Sequence, residues 1–295
     1  MYHIIFAVIA IAGAACFLFS CGGTNKKDTS KALIVSINPQ KYVLKQLINN
    51  DFDIIVMLPT GANHETYEPT PQDLKKVSES DVYFSLGHLD FEKAWVDRFK
   101  SVNPHLDVVN TSENINLISG HACSHHEEAG HEHAHEGIDP HIWLSVSCIK
   151  VQAQNIYNTL ITKFPENKDI YTKNLTAFNQ NADILNKEIA EILNHAKTKS
   201  FIIYHPALAY FARDYGWEQI SMENEGKEPS AAHLKELIYT AKTKGIKKIL
   251  ISKEFDTRHA ETLAKEIDGE LIVFDPMSEN WAENLKDLAQ KLAKD

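Results

Sequence analysis

The chain reads as an α/β protein: two doubly wound lobes with central parallel sheets, joined by one long helix, with a cleft between the lobes. Three observations point there. Short β-branched runs alternate with longer helical stretches in both halves, the pattern of a parallel sheet covered by helices. The alternation stops once, between about residues 146 and 197, where the pattern is helical almost throughout. The 295 residues suffice for two ordinary cores, and the apolar share of 43% and charged share of 24% are those of a folded protein.

The first segment is separate from that fold. Residues 4–19 are continuously apolar or small and lead into Leu18-Phe19-Ser20-Cys21-Gly22-Gly23. Such a run is short for a membrane-spanning helix and right for the apolar part of a signal peptide. A Cys just after Leu-x-Ser resembles a bacterial lipobox, so residues 1–20 are expected to be removed and Cys21 lipidated. An uncleaved anchor helix is the other reading. Both put the rest of the chain outside the cytoplasm, held at the bacterial cell membrane. Residues 21–31 are small, polar and charged, a flexible tether. With Cys16 removed and Cys21 lipidated, Cys123 and Cys148 remain, which is no disulfide framework.

The N-terminal lobe is expected over residues 32–145. Strands fall at 32–37, 53–58, 81–86 and 106–109, and helices at 40–49, 71–80 and 91–102. A low-complexity insert occupies 119–137. The connecting helix is expected over 146–197, with Pro165 the only strong break in it. The C-terminal lobe, 198–295, resumes with strands near 200–204, 218–222, 248–252 and 270–274. Its helices fall at about 207–215, 230–244, 257–267 and 279–293.

Charge excludes one class of partner. Thirty basic against forty acidic residues give a net −10, with no basic stripe to offset repulsion from phosphates, so nucleic acid is not expected. An acidic balance suits solubility and mildly attracts cations.

Four places carry chemistry. His64 and Glu65 lie in Gly61-Ala62-Asn63-His64-Glu65-Thr66-Tyr67-Glu68-Pro69, just past a strand. His141 lies in Asp139-Pro140-His141-Ile142-Trp143, before the long helical stretch; His205 follows a strand in Tyr204-His205-Pro206; Asp275 ends another in Phe274-Asp275-Pro276. Ligands of open parallel sheets bind beyond the carboxyl ends of the strands, where the segments near 64, 205 and 275 fall. Two places come from each half, so the site is expected in the interlobe cleft. Imidazoles with one carboxylate suit tetrahedral zinc. Taken singly, a histidine is more often a surface or capping residue than a ligand, and Asp before Pro is common in turns.

The insert strengthens the metal reading. It holds His121, Cys123, His125, His126, His131, His133 and His135, interleaved with Glu127, Glu128, Glu132 and Glu136. Almost no apolar side chains are present to pack, so these imidazoles form an accessory loop that binds divalent transition metals weakly and in several modes.

With these residues in hand, the chain resembles the zinc- and manganese-binding subunits of bacterial metal ABC importers, the ZnuA/TroA-like family. The motifs are Tyr67-Glu68-Pro69-Thr70-Pro71, Asp139-Pro140-His141-Ile142-Trp143-Leu144, the run from Tyr204 to Gly216, and Glu228-Pro229-Ser230. The resemblance runs from about residue 31 to the end. It implies two α/β lobes on one long helix, metal in the cleft, and a membrane permease as recipient. Carried over by motif, His141 and His205 match metal ligands, and Asp275 matches a carboxylate that some members use as fourth ligand. Members usually have His two residues before the Tyr of Tyr-Glu-Pro, a place held here by Glu65. His64 is taken as the ligand, with Glu65 an alternate oxygen ligand or a partner beside it. Three histidines and a carboxylate, with the histidine tract, favour Zn2+; two histidines and two carboxylates would favour Mn2+. A monomeric binding protein is expected rather than an enzyme, because four protein ligands leave no position for a catalytic water and no His-Glu-x-x-His motif is present. The competing readings are a manganese-binding member, a surface adhesin of the same fold and a zinc hydrolase.

Overall fold

The computed structural model describes residues 31–50, 52–119, 137–223 and 226–294. The expected signal peptide, Cys21, residues 21–30 of the tether, Cys123 and the histidines between His121 and His135 lie outside the described residues.

In the first lobe, β1 (Lys31–Val35), β2 (Phe52–Val56), β3 (Ser80–Ser85) and β4 (Asp107–Asn110) form a parallel sheet in the order β2-β1-β3-β4. Helices α1 (Asn38–Leu47), α2 (Pro71–Ser78) and α3 (Asp90–Val102) connect them. Leu33, Ile34 and Val35 of β1 are wholly buried, as a central strand covered on both faces requires.

Two polar constructions shape the carboxyl ends of this sheet. The first starts α2. Asp73 Oδ2 accepts from Thr70 N and Tyr67 Oη, each at 3.0 Å, and from Thr70 Oγ1 at 2.6 Å, while Thr70 Oγ1 caps Asp73 N, with Pro71 in the first turn. Burial alone would raise the Asp73 carboxyl, but these bonds and Lys76 outweigh it and pull it down to about 2. The Tyr67–Pro71 motif is therefore the anchor of the loop that carries His64.

The second construction is buried. Glu92, at the start of α3, accepts from Leu86 N at 2.7 Å and Leu89 N at 3.3 Å and is bonded to Ser36 Oγ. Gln40 takes Ser36 N and reaches Thr111, whose hydroxyl bonds Ser85 O. The ends of β1, β3 and β4 are tied by one network, and burial pushes the Glu92 carboxyl up despite those bonds. Glu92→Gln, which puts amide hydrogens where acceptors are needed, should destabilise the fold by about 1–3 kcal/mol in urea unfolding. An unchanged midpoint would mean that the network does not hold these strand ends.

The expected helical stretch 146–197 is two helices. Helix α4 (Val146–Lys163) ends at Phe164, whose φ of −132° and ψ of 62° lie outside the helical region that the following proline disfavours. A 3₁₀ turn, Pro165–Asn167, follows, and α5 (Lys168–Leu193) runs back along α4. The pairs Tyr157–Thr172 and Lys150–Asp183 show that the two are antiparallel. The long helix that joins the lobes is α5, about 39 Å at 1.5 Å per residue. It bonds Leu47 O through Asn174 at one end and Lys286 through Glu188 at the other.

The second lobe repeats the first. Strands β5 (Ser200–Ile203), β6 (Glu218–Ser221), β7 (Lys248–Ile251) and β8 (Glu270–Val273) are parallel in the order β6-β5-β7-β8. Helices α6 (Ala209–Tyr215), α7 (Ala231–Lys244) and α8 (Arg258–Ile267) connect them, and α9 (Trp281–Ala293) closes the chain. The last segment crosses back to the first lobe. Trp143 Nε1 donates to Pro276 O at 2.8 Å, Trp281 Nε1 donates to Trp143 O at 2.6 Å, and Glu279 pairs with Lys41 and Lys45. One apolar core accordingly runs through both lobes and α5. Among the described residues no helix is long and apolar enough to cross a membrane.

Candidate metal centre

Segments that follow β2, β3, β4 and β5 line one cleft of about 260 Å³, with His64, Glu65, His141 and His205 among its residues. His64 sits in the loop after β2. There Gly61 takes φ +82°, a conformation that favours glycine, and Asn63 Oδ1 accepts Glu65 N at 2.8 Å, an Asx turn that sets the two side chains. His205 lies two residues past β5. His141 caps the 3₁₀ turn Ile142–Leu144 that leads into α4.

The three imidazoles converge. One ligand atom from each of His64, His141 and His205 lies within 4.8 Å of the others, and the ring centroids are 5.1–5.7 Å apart. Nitrogens about 2.0–2.1 Å from a tetrahedral zinc stand about 3.4 Å from each other, so a small approach of the rings closes the site.

Carboxylates settle the tautomers of two rings. Asp139 Oδ1 accepts from both His141 N and His141 Nδ1 at 2.8 Å, and Glu223 Oε2 accepts from His205 Nδ1 at 2.8 Å. A carboxylate only accepts, so each Nδ1 carries the proton and each Nε2 keeps its lone pair. Both Nε2 atoms are buried without a hydrogen-bond partner. Two buried acceptors left unpaired and aimed at a common point are what a metal ion satisfies. Phe255, on the loop after β7, stacks on the His205 ring at 5.6 Å and 20°, and Trp143 lies against His141 at 5.1 Å.

Protonation is divided among the rings. Burial, then repulsion from His141 and His205, lowers His64 from 6.5 to about 2, so this ring is neutral and ready to bind. Burial also opposes charge on His205, but the Glu223 hydrogen bond and the charges of Glu65, Glu223 and Asp139 outweigh it and raise this ring. A proton on His205 therefore competes with a metal from a higher pH than it would on an ordinary imidazole.

The expected carboxylates fall differently. Glu65 lines the cleft and its Oε1 lies 3.9 Å from His205 Nε2, although it stands outside the close group of three imidazoles. Asp275 is not brought into the group. Its Oδ1 caps Met277 N at 2.9 Å and its carbonyl takes Asn284, and it is absent from the cleft lining. The turn forced by Pro276 and drawn in by Trp143 occupies it. Two residues were not singled out from sequence: Glu223 and Phe255. Glu223 lies two residues beyond β6, so the strand-end rule that found His205 also points to it.

The chain matches the ZnuA family, described as zinc-uptake complex component A, periplasmic, over residues 33–295. It belongs to this family. It is 29% identical over 280 residues to the high-affinity zinc uptake system protein ZnuA of Bacillus subtilis, covering 90% of this chain and 86% of that one. It is 29% identical over 262 residues to the zinc-binding protein AdcA of Streptococcus pyogenes serotype M1, covering 83% of this chain and 50% of AdcA. The chain thus spans about half the length of that relative. A crystal structure of ZnuA superposes with a TM-score of 0.82 at 36% identity, covering 90% of this chain and 98% of that one. The family fold, two α/β lobes on a long helix, is the fold described above.

Proposed function

We propose that the protein captures Zn2+ between its lobes, on the Nε2 atoms of His141 and His205, on His64 and on the Glu65 carboxylate. The observation that carries this reading is the pair of buried, unpartnered Nε2 atoms, each held in its tautomer by a carboxylate. Nitrogen and one carboxylate are a zinc donor set rather than a manganese one. Four protein donors fill a tetrahedral shell, so the site captures and releases metal and leaves no place for a hydrolytic water. Membership of a zinc-uptake family and zinc-binding relatives support zinc as cargo and a membrane ABC permease as its recipient. Cys21 is the proposed lipid anchor, which keeps the protein outside the cytoplasm at the bacterial cell membrane as a monomer.

Zinc titration against pH tests this reading. Because a protonated imidazole cannot ligate, affinity should fall steadily between pH 7.5 and about 5, with His205 contributing through a proton held above the usual range. The metal-free fold carries the opposite sign at His64. A depressed value gives stability that is full above 6.5 and declines as the pH falls towards 2. Affinity that is flat over the same range would rule out histidine ligation.

The fourth donor is tested by a pair of variants. Glu65→Ala should weaken zinc binding more than Asp275→Ala, since Glu65 lines the cleft within 3.9 Å of His205 Nε2 and Asp275 does not line it. The reverse ranking would move Asp275 into the coordination sphere and Glu65 out of it.

A further inference from the structure

A fourth histidine lines the same cleft, and the site described above does not use it. His88 lies in the turn between β3 and α3. Its Nε2 stands 3.0 Å from Ser112 Oγ, the only hydrogen bond it makes among the described residues. The direction of that bond can be deduced. Asn110 Oδ1 accepts both Ser112 N at 2.9 Å and Ser112 Oγ at 2.8 Å, so the serine proton is already committed. His88 must then donate from Nε2, which leaves the lone pair on Nδ1. Burial, followed by the nearby Lys93, holds this ring below its ordinary value, so it is neutral.

The backbone is built to this arrangement. Gly87 takes φ +80°, and a β-carbon there would stand 2.7–2.8 Å from the Asn110 side chain. Only glycine lets Asn110 come close enough to hold Ser112, and Ser112 in turn sets His88. Histidine ligands of metals usually donate their other nitrogen to a fixed acceptor in this way. Of the acidic residues on the cleft wall, Asp90 is paired with Lys93 and Asp139 is held by His141, whereas Glu65 reaches towards His205.

We propose that His88 Nδ1, with Glu65, forms a second and weaker position for a divalent transition-metal ion at the mouth of the cleft. The ion pauses there before it passes to His64, His141 and His205. Glu65, with two oxygens to offer, is common to both positions. This rests on the zinc site proposed above and adds to it the path by which the ion reaches that site.

The test uses the full chain labelled with ¹⁵N-histidine, with long-range ¹H–¹⁵N spectra recorded during zinc titration at pH 7.5 and His88 assigned through His88→Gln. In the metal-free protein His88 should carry its proton on Nε2. The first equivalent should move His64, His141 and His205, and further zinc should move His88 Nδ1. A proton found on Nδ1, or a His88 signal that stays still up to millimolar zinc, would overturn the outer position while leaving the tight site intact. Failure of the tight site would show instead as His64, His141 and His205 unmoved at the first equivalent. In stopped-flow exchange with a fluorescent chelator, His88→Gln should slow zinc association and dissociation several-fold and equally, leaving Kd unchanged. A weaker Kd with an unchanged association rate would make His88 a mere prop and overturn the proposal.

Discussion

Replacing His205 by alanine should weaken tight zinc binding by well over the ~10–100-fold that follows loss of an outer hydrogen-bonding partner. The substitution removes one of three nitrogens and strands the Glu223 carboxylate, which now holds Nδ1 at 2.8 Å. His125→Ala, in the histidine tract, should leave tight binding within error, because that tract is expected to supply only weak sites. Competition with a chelator of known affinity measures both. Since an unpaired buried carboxylate also costs stability, thermal unfolding of the metal-free variants separates loss of the ligand from loss of the fold. His205→Gln, which keeps a polar group near Glu223, should fold as well as the parent and still lose zinc. Equal small effects at 125 and 205 would remove the cleft from the account of affinity.

The second large effect is expected at Glu223. Glu223→Gln removes the charge that, together with Glu65 and Asp139, raises His205 against the effect of burial. Affinity at pH 7.5 should fall by ~10–100-fold, because the ring becomes a poorer donor and is less firmly oriented. The pH below which the affinity begins to fall should move down, because a proton now binds His205 less well. The two shifts have opposite consequences for zinc retention, so a general loosening of the site would not reproduce them. Glu223→Ala with an unchanged pH profile would show that Glu223 does not act through His205.

The strand–helix alternation was legible because β-branched runs and helical stretches differ in period. The observed strands lie within two residues of the expected ones. Strand order was not legible, since nothing local distinguishes β1 beside β3 from β1 at an edge. His141 and His205 could be read from their prolines and strand ends. The choice between His64 and Glu65 could not, because a one-residue register in a loop is decided by the turn around Gly61 and Asn63. The placing of Asp275 away from the imidazoles was not legible for a related reason. Asp-Pro marks a turn as readily as a ligand, and here Oδ1 caps that turn. Glu223 was missed because its role depends on the pairing of β5 with β6, which aligns Ile203 with Ser221 and so brings both strand ends together. His88 was missed because its tautomer depends on Asn110 and Ser112, which reach it only through the pairing of β3 with β4.

The most direct measurement is a crystal structure of the zinc-loaded protein with the ion identified at its X-ray absorption edge. It should show one zinc in the cleft about 2.0–2.1 Å from His141 Nε2, His205 Nε2 and a His64 nitrogen. Asp139 and Glu223 should remain on the two Nδ1 atoms, and a Glu65 oxygen should complete the tetrahedron. An ion held through Nδ1 of His141 or His205, or a cleft left empty while zinc sits among residues 121–135, would contradict it.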